Sequence, residues 1–246
     1  MYRFLVCLFV SLGILGSSLA AAQTLDELPF TKKLKLAQVG DEDAQMAVAQ
    51  AYEQGADARL DLAEAAQWYR KAAINGNVEA QYRLARIVSK GAKGVTKDLP
   101  TAAKLYEAAA KSGHVEAQNA TGLIYQNGLG VPADDAKAAG WYRKAADAKF
   151  AAAENNLGLM YLNGKGVPRD PKEAFKLFES AAQKGDGWGI NNLGGMYEMG
   201  WGVEKDAAKA ATYYRQAVAK GIASAQNNLL RIDPTTSSVA TPASSN

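Results

Sequence analysis

Residues that could perform catalysis are scarce in this chain. The sequence holds one histidine, His114, and one cysteine, Cys7. A His/Cys metal cluster needs several such ligands, and a cysteine nucleophile needs a base within hydrogen-bond reach. Cys7 lies in a segment that we predict to be removed, so we predict no catalytic residue, no metal site and no cofactor. His114 follows Gly113 at a predicted boundary between helices, where we expect it to face solvent or to cap a helix.

Glycine pairs and acidic pairs could suggest two other kinds of chemistry. The motif Gly128-x-Gly130, repeated at 164–166, is reminiscent of a phosphate-binding loop. It follows predicted helices rather than strands and recurs at a fixed spacing, which indicates a turn. The neighbouring carboxylates of Asp134 and Asp135 stand where a helix is predicted to begin, where acids cap the helix and complement its dipole. We therefore expect structural roles for both motifs.

Composition and charge favour a globular or repeat protein without a nucleic-acid site. The 246 residues are 48% hydrophobic and 22% charged, and the formal net charge is +3. Basic and acidic side chains are interspersed along the whole chain. Since a nucleic-acid-binding protein usually concentrates its lysines and arginines on one face, this pattern predicts no nucleic-acid partner.

The first 22 residues have the pattern of a cleavable signal peptide. Arg3 supplies a positive charge, the run 4–15 is apolar, and Ala20-Ala21-Ala22 offers a cleavage site. A retained membrane anchor is the alternative, but the run is short for a span of about 20 residues. The sequence thus predicts a periplasmic or secreted protein of a Gram-negative bacterium, without membrane insertion after cleavage.

The unit of the remaining chain is two amphipathic patterns separated by a glycine-rich turn, as in residues 150–185. In its first half Ala153, Leu157 and Met160 fall on one helical face. In its second half Ala174 and Phe178 begin a similar stripe. Neither stripe can be buried by one helix pair alone, so the unit requires neighbouring copies of itself.

Such copies recur along the chain at a spacing of 36 or 37 residues. The small residue near the start of each first helix marks the period, at Ala44, Ala80, Ala117, Ala153, Gly189 and Ala225. The one extra residue falls in a predicted turn at 90–95. We predict a lead and capping helix at 23–40, five full repeats and a terminal half repeat at 41–232, and a disordered tail rich in Ser, Thr and Pro at 233–246.

These repeats resemble the Sel1-like repeat, a class of tetratricopeptide-type unit. The third repeat carries most of the pattern, namely Gly122, Tyr125, Gly128, Gly130, Val131, Asp134, Lys137, Ala138, Trp141, Tyr142, Lys144, Ala145 and Ala146. The first two repeats depart from it, because Val88 replaces the first-helix tyrosine and residues 56–59 replace the Gly-x-Gly-Val turn. The resemblance implies an all-α fold, a right-handed α-solenoid of helix-turn-helix Sel1-like (TPR-like) repeats.

A column of asparagines two residues after each anchor is the candidate site. Asparagine is a poor residue for a helix interior, costing about 0.5 kcal/mol or more relative to alanine, so four in register call for an explanation. The column lies about 200° around the helix from the anchor. The first helices of related solenoids line the concave side, so the resemblance implies an exposed asparagine surface there. With the column one turn further on, the predicted partner-binding residues are Tyr82, Arg86, Asn119, Leu123, Asn155, Leu159, Asn191, Asn227 and Arg231. The alternative is an asparagine ladder that joins neighbouring repeats and binds no partner.

The predicted function is protein–protein interaction rather than catalysis. The resemblance implies an exported adaptor or regulator of a bacterial cell-envelope process that binds a protein or peptide on its concave surface. One alternative is a periplasmic immunity protein that neutralises a secreted toxin. Hydrolysis of a cell-wall or β-lactam substrate is a distant alternative, because the sequence offers no pair of nucleophile and base. The sequence does not define the oligomeric state.

Overall fold

The computed structural model describes residues 24–234. The predicted signal peptide and positions 235–246 of the predicted tail lie outside the described residues. A 3-10 helix, Leu25–Glu27, precedes helix α1, Phe30–Gln38. The eleven further helices of the described chain are α2 Glu42–Gln54, α3 Leu62–Ile74, α4 Val78–Lys90, α5 Leu99–Lys111, α6 Val115–Asn127, α7 Asp135–Asp147, α8 Ala151–Asn163, α9 Pro171–Gln183, α10 Gly187–Met199, α11 Ala207–Ala219 and α12 Ala223–Ile232.

Successive helices form hairpins, and each hairpin packs on the next. The first helices are α2, α4, α6, α8, α10 and α12, and the second helices are α3, α5, α7, α9 and α11. Residues 24–234 contain no β-strand, only an isolated bridge between Ala92 and Val95 in the turn that carries the extra residue. The all-α solenoid predicted from the sequence is confirmed.

Side-chain caps fix where most of these helices begin. Every second helix has an aspartate at its N-cap, and the carboxylate of Asp134, for example, accepts a hydrogen bond from the Lys137 N–H at 2.9 Å. His114 caps α6, because its Nδ1 accepts from the Ala117 N–H at 3.2 Å. Such caps satisfy N–H groups that have no partner within the helix. The cap role predicted for His114 is therefore confirmed.

The two glycines of each Gly-x-Gly turn have different roles. Gly164 ends α8 in the left-handed conformation, at φ +65°. Gly166, also at φ +65°, lies against the start of the preceding second helix, and a Cβ atom there would stand 2.1 Å from the Asp135 carbonyl oxygen. Gly130 and Gly202 make the equivalent approach to Leu99 and Pro171. The turn is thus also a contact between repeats, which explains why the motif recurs.

The core consists of alanines, larger aliphatic side chains such as Leu157 and at least one large aromatic side chain in each hairpin. Tyr142, Phe178 and Tyr214 are almost fully buried. Each lies against a glycine of the first helix in its own hairpin, and a Cβ on Gly158 would stand 2.7 Å from the Phe178 ring. Small residues at these positions therefore let the ring pack directly on the helix backbone. No helix among residues 24–234 is long and apolar enough to cross a bilayer.

Candidate functional site

Hydrogen bonds join one stripe of residues on each of the first helices α6, α8 and α10 to the next first helix. In α10 the stripe consists of Trp188, Asn191, Gly195 and Met199, spaced as i, i+3, i+7 and i+11 and therefore aligned on one side of the helix. The other first helices contribute the residues at the equivalent positions. We call this surface, with the turn residue that follows each helix, the first-helix face; it contains all nine residues predicted to bind a partner.

The asparagines of this face form a ladder of hydrogen bonds between successive first helices. The amide of Asn156 in α8 donates to Asn119 Oδ1 in α6 at 3.0 Å. The same bond recurs one repeat later from Asn192 to Asn155, at 2.7 Å. It recurs again from Asn228 in α12 to Asn191, at 3.1 Å. Since each bond joins helices from different hairpins, the ladder ties the repeats together along this side.

The expectation that the asparagine column is exposed is wrong for two of its members. The residue exposure of Asn155 is 6% and that of Asn191 is 8%, because the next first helix covers them and supplies their donor. Asn119 is half-buried, and Asn227, in the last described helix, is exposed. The middle of the column therefore fits the alternative, in which an asparagine ladder joins neighbouring repeats.

The donor asparagines, at positions 156, 192 and 228, were missed from the sequence. Each directly follows a column asparagine, so the Asn-Asn pairs at 155–156, 191–192 and 227–228 were the available signal. An amide can donate and accept at once, so two adjacent asparagines in register can connect to the repeats on both sides.

Charged and aromatic side chains occupy the N-terminal part of the first-helix face. The Tyr82 ring stacks on the His114 ring, with 4.3 Å between centroids, and Arg86 lies 5.8 Å from the Tyr82 centroid. His114 Nε2 stands 2.9 Å from a carboxylate oxygen of Glu79. Burial alone would raise the pKa of Glu79, but the hydrogen bonds that it accepts from His114 and Arg83 outweigh burial and lower this pKa. Tyr82 and Arg86 are thus held in a defined arrangement.

A groove of about 230 Å³ opens on the same face between α8, α10 and α12. Its floor includes Gly195, which stands where α6 and α8 carry Leu123 and Leu159. Because glycine has no side chain, the space that leucine fills elsewhere is open here. Asn191 and Arg231 are the two predicted residues that line this groove.

A buried carboxylate fixes one wall of the groove. Glu198 Oε2 accepts hydrogen bonds from the Tyr214 hydroxyl at 2.6 Å and from Arg231 Nη2 at 3.0 Å, and Arg231 Nη1 contacts the other oxygen, Oε1. Burial, together with this hydrogen bond to a carboxylate, raises the pKa of Tyr214. The Arg231 side chain is 55% exposed, and its five N–H groups exceed the bonds that it makes to Glu198 and Asn228 beside the groove.

Three large apolar side chains are exposed on the first-helix face in the fifth repeat. They are Trp188, Met199 and Trp201, with exposures of 53%, 51% and 39%. Met199 and Trp201 line the groove, whereas Trp188 lies at the start of the α10 stripe. Sequence reasoning missed all three. The signal was a comparison by position, since the counterparts of Met199 are Asn127 and Asn163, and the counterpart of Trp201 in the fourth repeat is Lys165.

The nine predicted residues therefore fall into three sets. Asn119, Asn155 and Asn191 accept the ladder bonds, and Tyr82 and Arg86 belong to the aromatic cluster. The others are Leu123, which is exposed, Leu159, which is half-buried, and Asn227 and Arg231, which are exposed at the C-terminal end. Whether any of them contacts a partner remains a prediction.

One cluster in the described chain has the residue types of a nucleophile and a base. Lys184 Nζ lies 2.7 Å from Ser180 Oγ, which suggests a serine activated by lysine. Both oxygens of the buried Glu154 carboxylate, however, lie 2.6 Å from the same Nζ. A base must have a free electron pair, and an ammonium paired with a carboxylate has none, so the cluster fits a salt bridge between α8 and the end of α9. Residues 24–234 also contain no group of three His, Cys, Asp or Glu side chains that could hold a metal ion.

Comparison with known families places repeat units where the hairpins lie. The family model of the Sel1 repeat matches residues 42–77, 78–114, 115–150, 151–186 and 189–222. These segments correspond to the hairpins α2–α3 to α10–α11. No curated protein gives a significant match.

Several solved structures are similar to this chain. A protective antigen present in uropathogenic Escherichia coli strains, which displays an SLR fold, is 33% identical, with a TM-score of 0.77 over 84% of this chain and 44% of that one. The chain thus spans less than half the length of that relative. A Sel1 repeat protein from Oxalobacter formigenes is 28% identical, with a TM-score of 0.74, 83% of this chain and 87% of that chain covered. A putative Sel1 repeat protein from Klebsiella pneumoniae, 24% identical with a TM-score of 0.50 over 83% of this chain and 99% of that one, shares the fold.

Proposed function

Because the chain belongs to the Sel1 repeat family, we propose that it is an exported protein-binding module that serves as an adaptor or regulator of a bacterial cell-envelope process. Sel1 repeat proteins are protein-interaction modules. The pattern of a signal peptide at 1–22 supports the export, and the expected location is the periplasm or the medium. The partner is a protein or a peptide and not a nucleic acid, and the chain is not inserted in the membrane after cleavage.

The observation that carries this proposal is the groove at Gly195 with its exposed apolar border. Tryptophan and arginine are enriched among residues that dominate binding energy at protein interfaces, and methionine adapts to varied partners. Trp201, Met199 and Arg231 surround the groove, while Asn192 and Asn228 lie in it with amide groups that suit a peptide backbone. Exposed apolar patches of this kind mark interaction sites.

A scaffold role, without catalysis, is part of the proposal. It is supported by the pairing of Lys184 with Glu154, and by the occupation of His114 as a helix cap. Turnover of a cell-wall or β-lactam substrate by the purified protein, absent from a mock preparation, would refute it.

The test is a pull-down from a periplasmic extract of the native cell. We compare the wild-type chain with Gly195→Leu, which restores the residue found in α6 and α8, and with Trp201→Ala. Val39→Ala, which truncates an exposed apolar side chain at the end of α1, is the control. We expect one or more partners to be retained by wild type and Val39→Ala and to be lost or reduced at least tenfold in the other two.

Retention of all partners by both groove variants would contradict the proposed site. The identity of the partner separates the envelope regulator from the immunity alternative. A toxin that the chain inactivates in an activity assay would replace the regulatory role by the immunity role, with the binding site unchanged.

A further inference from the structure

The second repeat opens a cleft on the other side of the solenoid, between the second helices α3 and α5. At position 88 the chain has valine, where the third, fourth and fifth repeats have Tyr125, Tyr161 and Tyr197. Those tyrosines lie between consecutive second helices. Tyr161, for instance, accepts a hydrogen bond from Arg143 of α7 and packs against the cluster of buried residues that includes Ala174 and Phe178 of α9. With a smaller side chain at 88, a cleft of about 1070 Å³ remains over Val88.

The extra residue of the second repeat widens this cleft. The second glycine of the other turns lies close to backbone atoms of the preceding second helix, as Gly166 does at Asp135. A Cβ on Gly94 would instead meet only the Ala63 side chain, at 3.0 Å, with no other atom within 4 Å. The turn therefore stands away from the α3 backbone, and a second cavity of about 520 Å³ adjoins the first at Ala63 and Gly94.

An arginine in this cleft lacks the partner that its counterpart has. In the third repeat Arg143 Nη2 donates to the Tyr161 hydroxyl at 2.8 Å. The equivalent residue of the first repeat is Arg70, which lines the cleft and faces the position of Val88. Among residues 24–234 its guanidinium has no hydrogen-bond or ion-pair partner. Arg70 therefore lacks the tyrosine ring and hydroxyl that its counterpart Arg143 contacts.

The border of the cleft is basic. Arg59, Lys93 and Lys97 are exposed there with Arg70, and none of the four has an ion-pair partner in the described part of the chain. The acids that line the cleft are Asp61 and Asp98, whose carboxylates cap α3 and α5. Four cations against two anions leave the border with a net positive charge, above an interior that contains the buried side chains of Ala66 and Val88.

We propose that this cleft is a second binding site, which takes an acidic segment of a protein carrying one aromatic side chain. The ring occupies the space over Val88 that tyrosine fills in later repeats, and the carboxylates contact Arg70, Lys93 and Lys97. An apolar interior favours a peptide side chain over a sugar-phosphate backbone. This site is separate from the groove at Gly195 and stands independently of it.

The test measures fluorescence anisotropy of a fluorescein-labelled random copolymer of glutamate and tyrosine, titrated with the whole chain. Val88→Tyr restores the repeat pattern and fills the cleft from within. Arg70→Glu reverses one exposed charge without touching the core. Gly195→Leu is the control on the other face, and circular dichroism confirms that each variant is folded.

We expect the copolymer to bind wild type and Gly195→Leu equally, and Val88→Tyr and Arg70→Glu at least tenfold more weakly. Polyglutamate of the same length, which has no ring, should also bind at least tenfold more weakly. The proposal is overturned if the copolymer does not bind wild type, if both cleft variants bind it as wild type does, or if polyglutamate or a single-stranded oligodeoxynucleotide binds equally well. Loss of binding in Gly195→Leu alone would place the copolymer on the first-helix face and would likewise overturn it.

Discussion

At the scale of single residues, Tyr69, Tyr142 and Tyr214, buried on second helices, each donate a hydrogen bond to a polar side chain at the end of the first helix in the same hairpin. The Tyr69 hydroxyl donates to Glu53 at 2.5 Å, and the Tyr142 hydroxyl donates to Gln126 at 2.6 Å. In the fourth repeat both partners are apolar, since Phe178 replaces the tyrosine and Leu162 replaces the acceptor. A buried hydroxyl is thus present only where an acceptor can satisfy it.

This pairing predicts a non-additive effect of two substitutions. Tyr142→Phe removes the hydrogen bond and should lower the free energy of unfolding by about 1 kcal/mol. The double variant with Gln126→Leu should recover most of that loss, because it reproduces the apolar pair of the fourth repeat. Urea denaturation of both single variants and the double variant measures the coupling, and strictly additive losses would contradict the account.

Alkaline pH should destabilise the fold through the same tyrosines. Burial raises the pKa of Tyr69, Tyr142 and Tyr214 above the ordinary value of 10.0. Because the folded state favours the neutral phenol, the contribution of each tyrosine to the free energy of unfolding is complete below pH 10. It is lost as the pH rises above 10. Above pH 10 each such tyrosine should cost up to about 1.4 kcal/mol per pH unit.

Urea denaturation from about pH 9 to about pH 11.5, a range that brackets the ordinary tyrosine pKa, measures how the free energy of unfolding depends on pH. Tyr142→Phe should unfold with a shallower dependence on pH than wild type, because it has one buried phenol fewer. Identical slopes would show that Tyr142 does not contribute.

At the scale of elements, the turns determine how one hairpin meets the next. Gly164 and Gly166 lie two residues apart, and the first ends α8 while the second contacts the start of α7. The same sequence motif therefore terminates a helix and fixes the distance between repeats. The second repeat, with its extra residue, is the exception among the Gly-x-Gly turns, and the cleft lies there.

Two glycine substitutions should separate these roles. Gly166→Ala forces a side chain into the Asp135 carbonyl at a positive φ, which should cost about 2 kcal/mol or more. Gly140→Ala, inside α7 with nothing within 4 Å of the new Cβ, should be neutral or stabilise the fold by up to about 1 kcal/mol. Thermal or urea unfolding of both variants checks the contrast, which would fail if Gly166→Ala were as stable as Gly140→Ala.

The ladder predicts a further difference in stability. Asn192→Ala removes the donor to the buried Asn155 oxygen and should cost about 1 to 3 kcal/mol, since that oxygen is left unsatisfied. Asn227→Ala changes an exposed side chain that has no hydrogen-bond partner among residues 24–234 and should change stability by less than about 0.5 kcal/mol. The same denaturation assay applies, and equal losses would contradict a structural role for the ladder.

The sequence was sufficient to predict the helices and turns, because period, caps and glycines are local signals. It also located the extra residue in a turn. The burial of Asn155 could not be derived from a wheel of α8 alone, because the residue that covers it comes from α10, in the next repeat. The groove at Gly195 was missed for a related reason. Gly195 follows Leu123 and Leu159 in its column, and on one helix it is only a weak helix former; the space it leaves open is defined by the helices on both sides.

At the scale of the whole molecule, the repeats share one fold but not one surface. The fifth repeat exposes Trp188, Met199 and Trp201 on the first-helix face, whereas the second repeat has a basic cleft on the opposite side. A repeat array can place such differences at any position, because each repeat is stabilised mainly by its neighbours. Positions that depart from the repeat pattern are therefore where binding is expected.

Site-specific photo-crosslinking in the native cell tests most directly whether the first-helix face binds the partner. A photoreactive amino acid replaces Leu123, Met199 or Asn227 on that face, and Lys176 or Thr212, both exposed on second helices, as controls. We expect one protein adduct of constant mass from Met199 and Asn227, a weaker one or none from Leu123, and none from the controls. Adducts from Lys176 or Thr212 with none from Met199 and Asn227 would contradict the account.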